Sequence, residues 1–120
     1  NNDGTKKKDE REHVKISTRT FVHAIVQRTV DSRYLLIQLM SDKQQQQQQQ
    51  HEYDLPSEEV GFGETLVESA EKCIAKQAGI HVQIKGIVDF QYILNQFPKG
   101  HYSNDYNEFH VYFFAEHHKS

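Results

Sequence analysis

A chain of 120 residues with 36% hydrophobic and 26% charged residues has the length of one domain, which excludes two ordinary ones. Its net charge of -3 arises from 14 basic and 17 acidic residues without a long basic block, so non-specific binding to nucleic acid is disfavoured. The single cysteine, Cys73, excludes a disulfide framework, and no apolar run approaches the roughly 20 residues that span a bilayer. We therefore predict an intracellular protein without membrane contact, in the cytoplasm by preference, with the mitochondrion and the nucleus as alternatives.

The N-terminal part of the chain is polar and then becomes strongly apolar. Residues 1–12 contain no apolar side chain to offset the entropy of ordering, so we predict a disordered arm there and one domain over residues 13–120. Residues 20–27 place apolar side chains on nearly both faces, which predicts a buried strand. Residues 34–40 follow a polar turn and are predicted to form the hairpin partner of that strand.

Seven consecutive glutamines occupy residues 44–50. The tract has no apolar side chain that could anchor it in a core, so we predict a solvated polyglutamine loop inserted into the domain. The alternative is a polyglutamine element for contact or aggregation, because such tracts can pair as strands.

Residues 65–78 have the pattern of an amphipathic helix. Thr65 and Glu68 match the capping box at the start of this segment, and Gly79 stands where a left-handed C-terminal cap is expected. The apolar residues near its i, i+3 and i+4 rows are Leu66, Val67, Ala70, Ile74 and Ala78.

Two further strands are predicted after this helix, at residues 82–92 and 107–114, because both segments are rich in β-branched and aromatic side chains. Residues 97–105, which include Pro98 and Gly100, are predicted to form the loop between them.

The order of these elements and the motif around the helix resemble the Nudix family over most of residues 14–116. The family signature is G-x5-E-x7-R-E-U-x-E-E-x-G-U, where U is aliphatic. In this sequence the matching window runs from Glu58 to Ile80 without a gap. The retained glutamate is Glu64, and the basic position is Lys72.

The resemblance implies an α/β fold, namely a Nudix-like α/β/α sandwich with a mixed sheet. The family usually covers the second face of the sheet with a helix after the last strand, and the sequence up to Ser120 holds no such segment. We therefore expect either that the chain is truncated, or that a protein partner or a further part of the polypeptide covers this face, since an exposed apolar face invites association.

The family motif also carries three glutamates at i, i+3 and i+4 of the helix, which converge on Mg²⁺ or Mn²⁺ and let the enzyme hydrolyse a diphosphate. The matching positions here hold Cys73, Lys76 and Gln77, none of which offers a carboxylate. The resemblance therefore implies a domain with a degenerate Nudix box, a pseudoenzyme that uses no cofactor and acts in ligand binding, as a scaffold or in an assembly.

The ligand of such a domain would be a nucleotide or another phosphorylated compound. Lys72 and Lys76 are the candidates to supply positive charge, and Tyr92 and Tyr102 are the candidates to stack on a base. A purely structural role without a small ligand is a further alternative.

The alternative function is an active Mg²⁺- or Mn²⁺-dependent pyrophosphohydrolase of nucleoside diphosphate-linked compounds. Relocated carboxylates of Glu59, Glu64 and Glu68 would then hold the metal, with Glu64 and Glu68 as the catalytic residues. Glu64 and Glu68 are four positions apart, which places them on one helical face if Glu64 is helical.

Overall fold

The fold was analysed in a computed structural model, which describes residues 17–40, 51–94 and 106–118. Three predicted features lie outside the described residues: the arm at 1–12, the glutamine tract at 44–50 and the loop at 97–105.

The described residues form a mixed sheet, a small second sheet and a helix. In chain order the elements are β1 (Ser17–Arg28), β2 (Arg33–Tyr34), β3 (Ile37–Leu39), β4 (Glu52–Asp54), β5 (Ser57–Glu59), α1 (Leu66–Ala78), β6 (Gln83–Ile93) and β7 (Tyr106–His117). The main sheet has the order β2-β1-β7-β6, and β5 also pairs with β1. The central pair, β1 and β7, is parallel, whereas every other pair is antiparallel.

The core lies between α1 and one face of the main sheet. Along β1 and β7 every second side chain is buried, as expected for strands with one face against a helix. Ala70 of α1 packs among the side chains near the start of the helix, and Ile74 packs one turn further along. The buried strand residues are Val22, Ala24 and Val26 of β1 and Val111, Phe113 and Ala115 of β7.

The ends of α1 are determined by local hydrogen bonds. The Thr65 hydroxyl accepts a hydrogen bond from the Glu68 amide, and the Glu68 carboxylate accepts one from the Thr65 amide, which completes the predicted capping box. At the other end Gly79 has φ = 69° and donates its amide to the Ala75 carbonyl. A side chain is disfavoured in this left-handed conformation, so the glycine ends the helix where the sequence predicts.

The prediction that residues 34–40 form the hairpin partner of β1 is correct only for the start of that segment. The β1–β2 pairing joins Gln27 with Tyr34 and Arg28 with Arg33, and the Leu35 amide adds a hydrogen bond to the Val26 carbonyl. The side chain of Leu35 packs against the core cluster that includes Ile74. Residues beyond it form β3, which pairs with β4 in the second sheet.

The predicted fold class is correct: the described residues form an α/β structure with a mixed sheet and a helix on one face. Within residues 17–40, 51–94 and 106–118, no second helix covers the opposite face of the sheet, which we call the open face. Phe21, His23 and Ile25 of β1 point to this face together with Tyr112 and their other neighbours on β7. In this part of the chain, no helix is long and apolar enough to cross a membrane.

Replacing Ile74 tests the packing of α1 on the sheet. Ile74 has no exposed surface, so Ile74→Ala is expected to lower the free energy of unfolding by about 2–5 kcal/mol, whereas Ile74→Val lowers it by about 0.5–1.5 kcal/mol. Urea denaturation followed by circular dichroism measures both values. Equal losses for the two variants would contradict this packing.

Candidate functional site

The loop before α1 is organised around the carboxylate of Glu64. Its Oε1 atom accepts hydrogen bonds from the Gly61 amide at 3.0 Å and from the Ser69 hydroxyl at 2.7 Å. Its Oε2 atom accepts one from Lys72 Nζ at 2.7 Å. One side chain therefore connects the loop, the first turn of the helix and the second turn.

These partners stabilise the ionised form of Glu64. The hydrogen bond from Lys72 comes first, followed by those from Ser69 and Gly61, and together they lower the pKa of Glu64 to about 2. The same contact raises the pKa of Lys72. Glu64 is therefore an anion, and both of its carboxylate oxygens already accept hydrogen bonds within the fold.

The loop backbone approaches this carboxylate closely at Gly61. A Cβ atom at residue 61 would lie 3.0 Å from Glu64 Oε1, which is closer than such atoms normally approach. Glycine at residue 61 lets its amide reach the carboxylate without a shift of the Glu64 side chain. The neighbouring Phe62 points away and is fully exposed.

Of the three positions where the family motif carries glutamates, one is buried in the core and two contact β5. Cys73 is buried in the core, and this burial, with a smaller effect of the Glu58 charge, raises the pKa of its thiol to about 11. Lys76 Nζ lies 3.3 Å from Glu58 Oε1, and Gln77 Nε2 donates to the Ser57 carbonyl at 3.0 Å. The helix face that would meet a metal ion in the family instead binds directly to the strand beside it.

These side chains do not fit a divalent cation. Mg²⁺ and Mn²⁺ prefer oxygen ligands, mainly carboxylates. Cys73 offers a protonated thiol, Lys76 offers a cation, and Gln77 directs its amide nitrogen at a carbonyl. Among the residues that the structure describes, no three His, Cys, Asp or Glu side chains form a group that could hold a metal ion.

The sequence offers the carboxylates of Glu59, Glu64 and Glu68 as an alternative metal site. In the structure each of them has a different partner. Glu59 forms a two-bond ion pair with Arg19, which lowers the pKa of Glu59. Glu68 turns back to cap the helix at Thr65. Glu64 precedes the helix, so the condition for placing Glu64 and Glu68 on one helical face is not met.

The candidate ligand residues do not form one group. Lys72 and Lys76 lie on α1, each paired with a glutamate of the preceding segment. Tyr92 lies on β6, where its hydroxyl accepts a hydrogen bond from Asn107 and its ring lies 6.4 Å from that of Phe109. Tyr102 lies outside the described residues.

A cleft of about 430 Å³ opens at the C-terminal end of α1, and none of the candidate residues lines it. Arg28 and Arg33 stand at this cleft, and Asp31 forms ion pairs with both. The apolar part of its lining consists of Val26, Leu35, Ala78 and Ile80.

A polar network on the open face was not predicted from the sequence. Two ring nitrogens, His23 Nε2 and His110 Nδ1, lie 2.6 Å apart, and the other nitrogens of these rings contact Ser57 and Glu108. The two histidines are far apart in the sequence and lack a paired spacing. Only the parallel register of β1 and β7 brings them together.

Comparison with solved structures shows a Nudix fold. A Nudix hydrolase from Nitrosomonas europaea superposes with a TM-score of 0.62 at 13% identity, over 84% of this chain and 60% of that protein. A MutT protein from Methanosarcina mazei gives 0.57 at 16% identity, over 83% and 64%, and the C. elegans Ap4A hydrolase gives 0.55 at 16% identity, over 85% and 70%. No protein-family model and no curated protein sequence matches the chain.

These similarities confirm the class of fold that the sequence motif predicts. The chain is a Nudix-fold domain, and it spans 60% and 64% of the lengths of the Nitrosomonas and Methanosarcina proteins. At 13–16% sequence identity, the similarity to these solved structures establishes the fold alone.

Replacing Glu64 tests its role in the loop. Glu64→Gln removes the charge that Lys72 binds, so we expect a lower urea midpoint at pH 7. The folded-state pKa of about 2 lies below the ordinary value of 4.5, so the stabilisation is present above pH 4.5 and is lost as the pH falls toward 2.

The difference in midpoint between wild type and Glu64→Gln should therefore shrink as the pH falls through this window. Glu71→Gln, on the exposed side of the same helix, is the control and should leave the midpoint nearly unchanged. A constant difference between wild type and Glu64→Gln at all pH values would contradict the assignment.

Proposed function

We propose that this Nudix-fold domain lacks metal-dependent hydrolysis and acts as a binding or assembly module. The observation that carries the proposal is the engagement of Cys73, Lys76 and Gln77 with the core and with β5. Nudix-type hydrolysis needs a divalent ion that neutralises the phosphate oxygens and positions or activates water. The corresponding helix face in this chain offers a cation and a buried thiol instead.

The relocated carboxylates support the same conclusion. A second metal site would need Glu59, Glu64 and Glu68 to converge, yet their partners are Arg19, Lys72 and the helix N-terminus. Each carboxylate would have to leave a charged or backbone partner before it could bind a metal. The active-hydrolase alternative therefore requires a rearranged loop. Measured hydrolysis would be the direct evidence for this alternative.

The lysines of α1 restrict which ligands the site can accept. Lys72 and Lys76 are exposed but already paired with Glu64 and Glu58. A nucleotide or another phosphorylated ligand would have to compete with these carboxylates for the same cations. We therefore favour the assembly role, in which a protein partner covers the open face, over binding of a phosphorylated ligand at α1.

Direct titration with Mn²⁺ tests the loss of the metal site. The wild-type chain should bind Mn²⁺ no more tightly than about the millimolar range, measured by the electron paramagnetic resonance signal of the free ion. The variant with Cys73→Glu, Lys76→Glu and Gln77→Glu should gain binding that the wild type lacks.

A second variant guards against unfolding by a buried carboxylate. Lys76→Glu with Gln77→Glu keeps Cys73 in the core and frees Glu58 from its lysine, so it should also gain Mn²⁺ binding. Lys85→Gln removes a lysine on β6 without adding a carboxylate beside Glu116 and serves as the control. Tight Mn²⁺ binding by the wild type would refute the proposal.

A hydrolysis assay distinguishes the two functions. Nucleoside triphosphates, ADP-ribose and dinucleoside polyphosphates are incubated with the wild-type chain and Mg²⁺ or Mn²⁺, and EDTA and Glu64→Gln serve as controls against contaminants. We expect no turnover above the EDTA background. Turnover that disappears in both controls would establish an active hydrolase with a rebuilt metal site.

A further inference from the structure

The polar network on the open face links three strands of the main sheet. Ser57 of β5 donates its hydroxyl hydrogen to the Leu55 carbonyl at 2.9 Å, and the same oxygen lies 2.7 Å from His23 Nδ1 of β1. His23 Nε2 lies 2.6 Å from His110 Nδ1 of β7, and His110 Nε2 lies 2.8 Å from Glu108 Oε1. The network is a single row of four hydrogen bonds.

Counting hydrogens shows that the neutral side chains cannot form the whole row. Each of the four bonds needs one hydrogen, and both ends of the row, the Leu55 carbonyl and the Glu108 carboxylate, are acceptors only. Ser57 and two neutral imidazoles supply three hydrogens in total. One additional proton is therefore required to complete the row.

We propose that His23, His110 and Glu108 form a proton-binding site that holds this additional proton on His110. His110 then donates from both nitrogens, to Glu108 and to His23 Nε2. His23 is neutral and donates from Nδ1 to the Ser57 oxygen, and Ser57 donates to the Leu55 carbonyl. Every bond in the row is then made, and the imidazolium stands beside a carboxylate.

The placement of the proton follows from chemistry and surroundings. Imidazole is a stronger base than a carboxylate, so the proton binds a histidine rather than Glu108. Of the two histidines, His110 contacts the carboxylate, whereas burial and the charge of His110 lower the pKa of His23. The ring of His23 stacks on Tyr112, and the ring of His110 stacks on Phe21.

Other charged groups face the row from the neighbouring strands. Asp54 of β4 acts on His23 and partly offsets the lowering of its pKa. Asp89 of β6 pairs with Tyr112, on the face that carries the row. Arg19 and Glu59 neutralise each other beside the row.

Release of the proton changes the opposite end of the row. When His110 donates only to Glu108, two lone pairs would face each other over 2.6 Å unless His23 moves its hydrogen from Nδ1 to Nε2. Ser57 must then donate to His23 Nδ1, and the Leu55 carbonyl loses its hydrogen bond. The proton therefore determines whether Ser57 bonds to the Leu55 carbonyl, in the segment whose Ser57 carbonyl accepts a hydrogen bond from Gln77 of α1.

Nuclear magnetic resonance of the histidine rings tests the proposal on the wild-type chain. Long-range ¹H–¹⁵N spectra distinguish the two neutral tautomers from imidazolium, and the titration covers about pH 6 to 9, around the ordinary range of histidine. At low pH His110 should be imidazolium and His23 the Nδ1–H tautomer. At high pH both should be neutral and His23 should be the Nε2–H tautomer. A His110 that stays neutral with an unchanging His23 tautomer would overturn the proposal.

The Glu108→Gln variant provides an independent thermal test. The glutamine amide can donate to His110 Nε2 and supply the missing hydrogen, so the row is complete without an additional proton. Above about pH 6 the wild type should therefore lose melting temperature relative to Glu108→Gln as the pH rises, by about 4 °C for one hydrogen bond.

Glu59→Gln is the matched control, because it removes a carboxylate from the same face but acts on Arg19. The difference between its melting temperature and that of the wild type should stay constant over this pH range. Parallel curves for wild type and Glu108→Gln would overturn the proposal.

Discussion

The ion pair between Glu64 and Lys72 determines how the loop meets the helix, and much of the candidate site depends on it. Through the Gly61 amide and the Ser69 hydroxyl the same carboxylate fixes the turn that leads into α1. The position of α1 in turn determines which side chains reach β5 and which enter the core. A contact that the family motif retains thus acts here on architecture, independently of any metal ion.

The substituted positions of the motif form a consistent set of contacts. The thiol of Cys73 lies in the core, the lysine at 76 neutralises Glu58, and the amide at 77 binds the backbone of β5. A magnesium or manganese site needs oxygen ligands, mainly carboxylates, at these positions. Direct contacts take the place of such ligands in this chain, and they hold β5 against α1.

The sequence predicts α1 well because its signals are local. Both bonds of the capping box and the glycine cap lie within a few residues of the helix ends, and they occur as expected. Residues 34–40 are predicted less well. Leu35 packs against a core cluster that includes Ile74, far away in the sequence, and hydrophobic periodicity does not reveal such a long-range contact. The histidine network depends on the parallel register of strands roughly 90 positions apart, which a single sequence leaves undetermined.

The pairing of β3 with β4 has a consequence for the glutamine repeat. Leu39 lies opposite Glu52, and the seven glutamines belong to the connection between these strands. The entropy of closing a connection rises slowly with length, by about 0.6 kcal/mol for each doubling. Gain or loss of a few glutamines therefore changes the free energy of folding by only part of that amount.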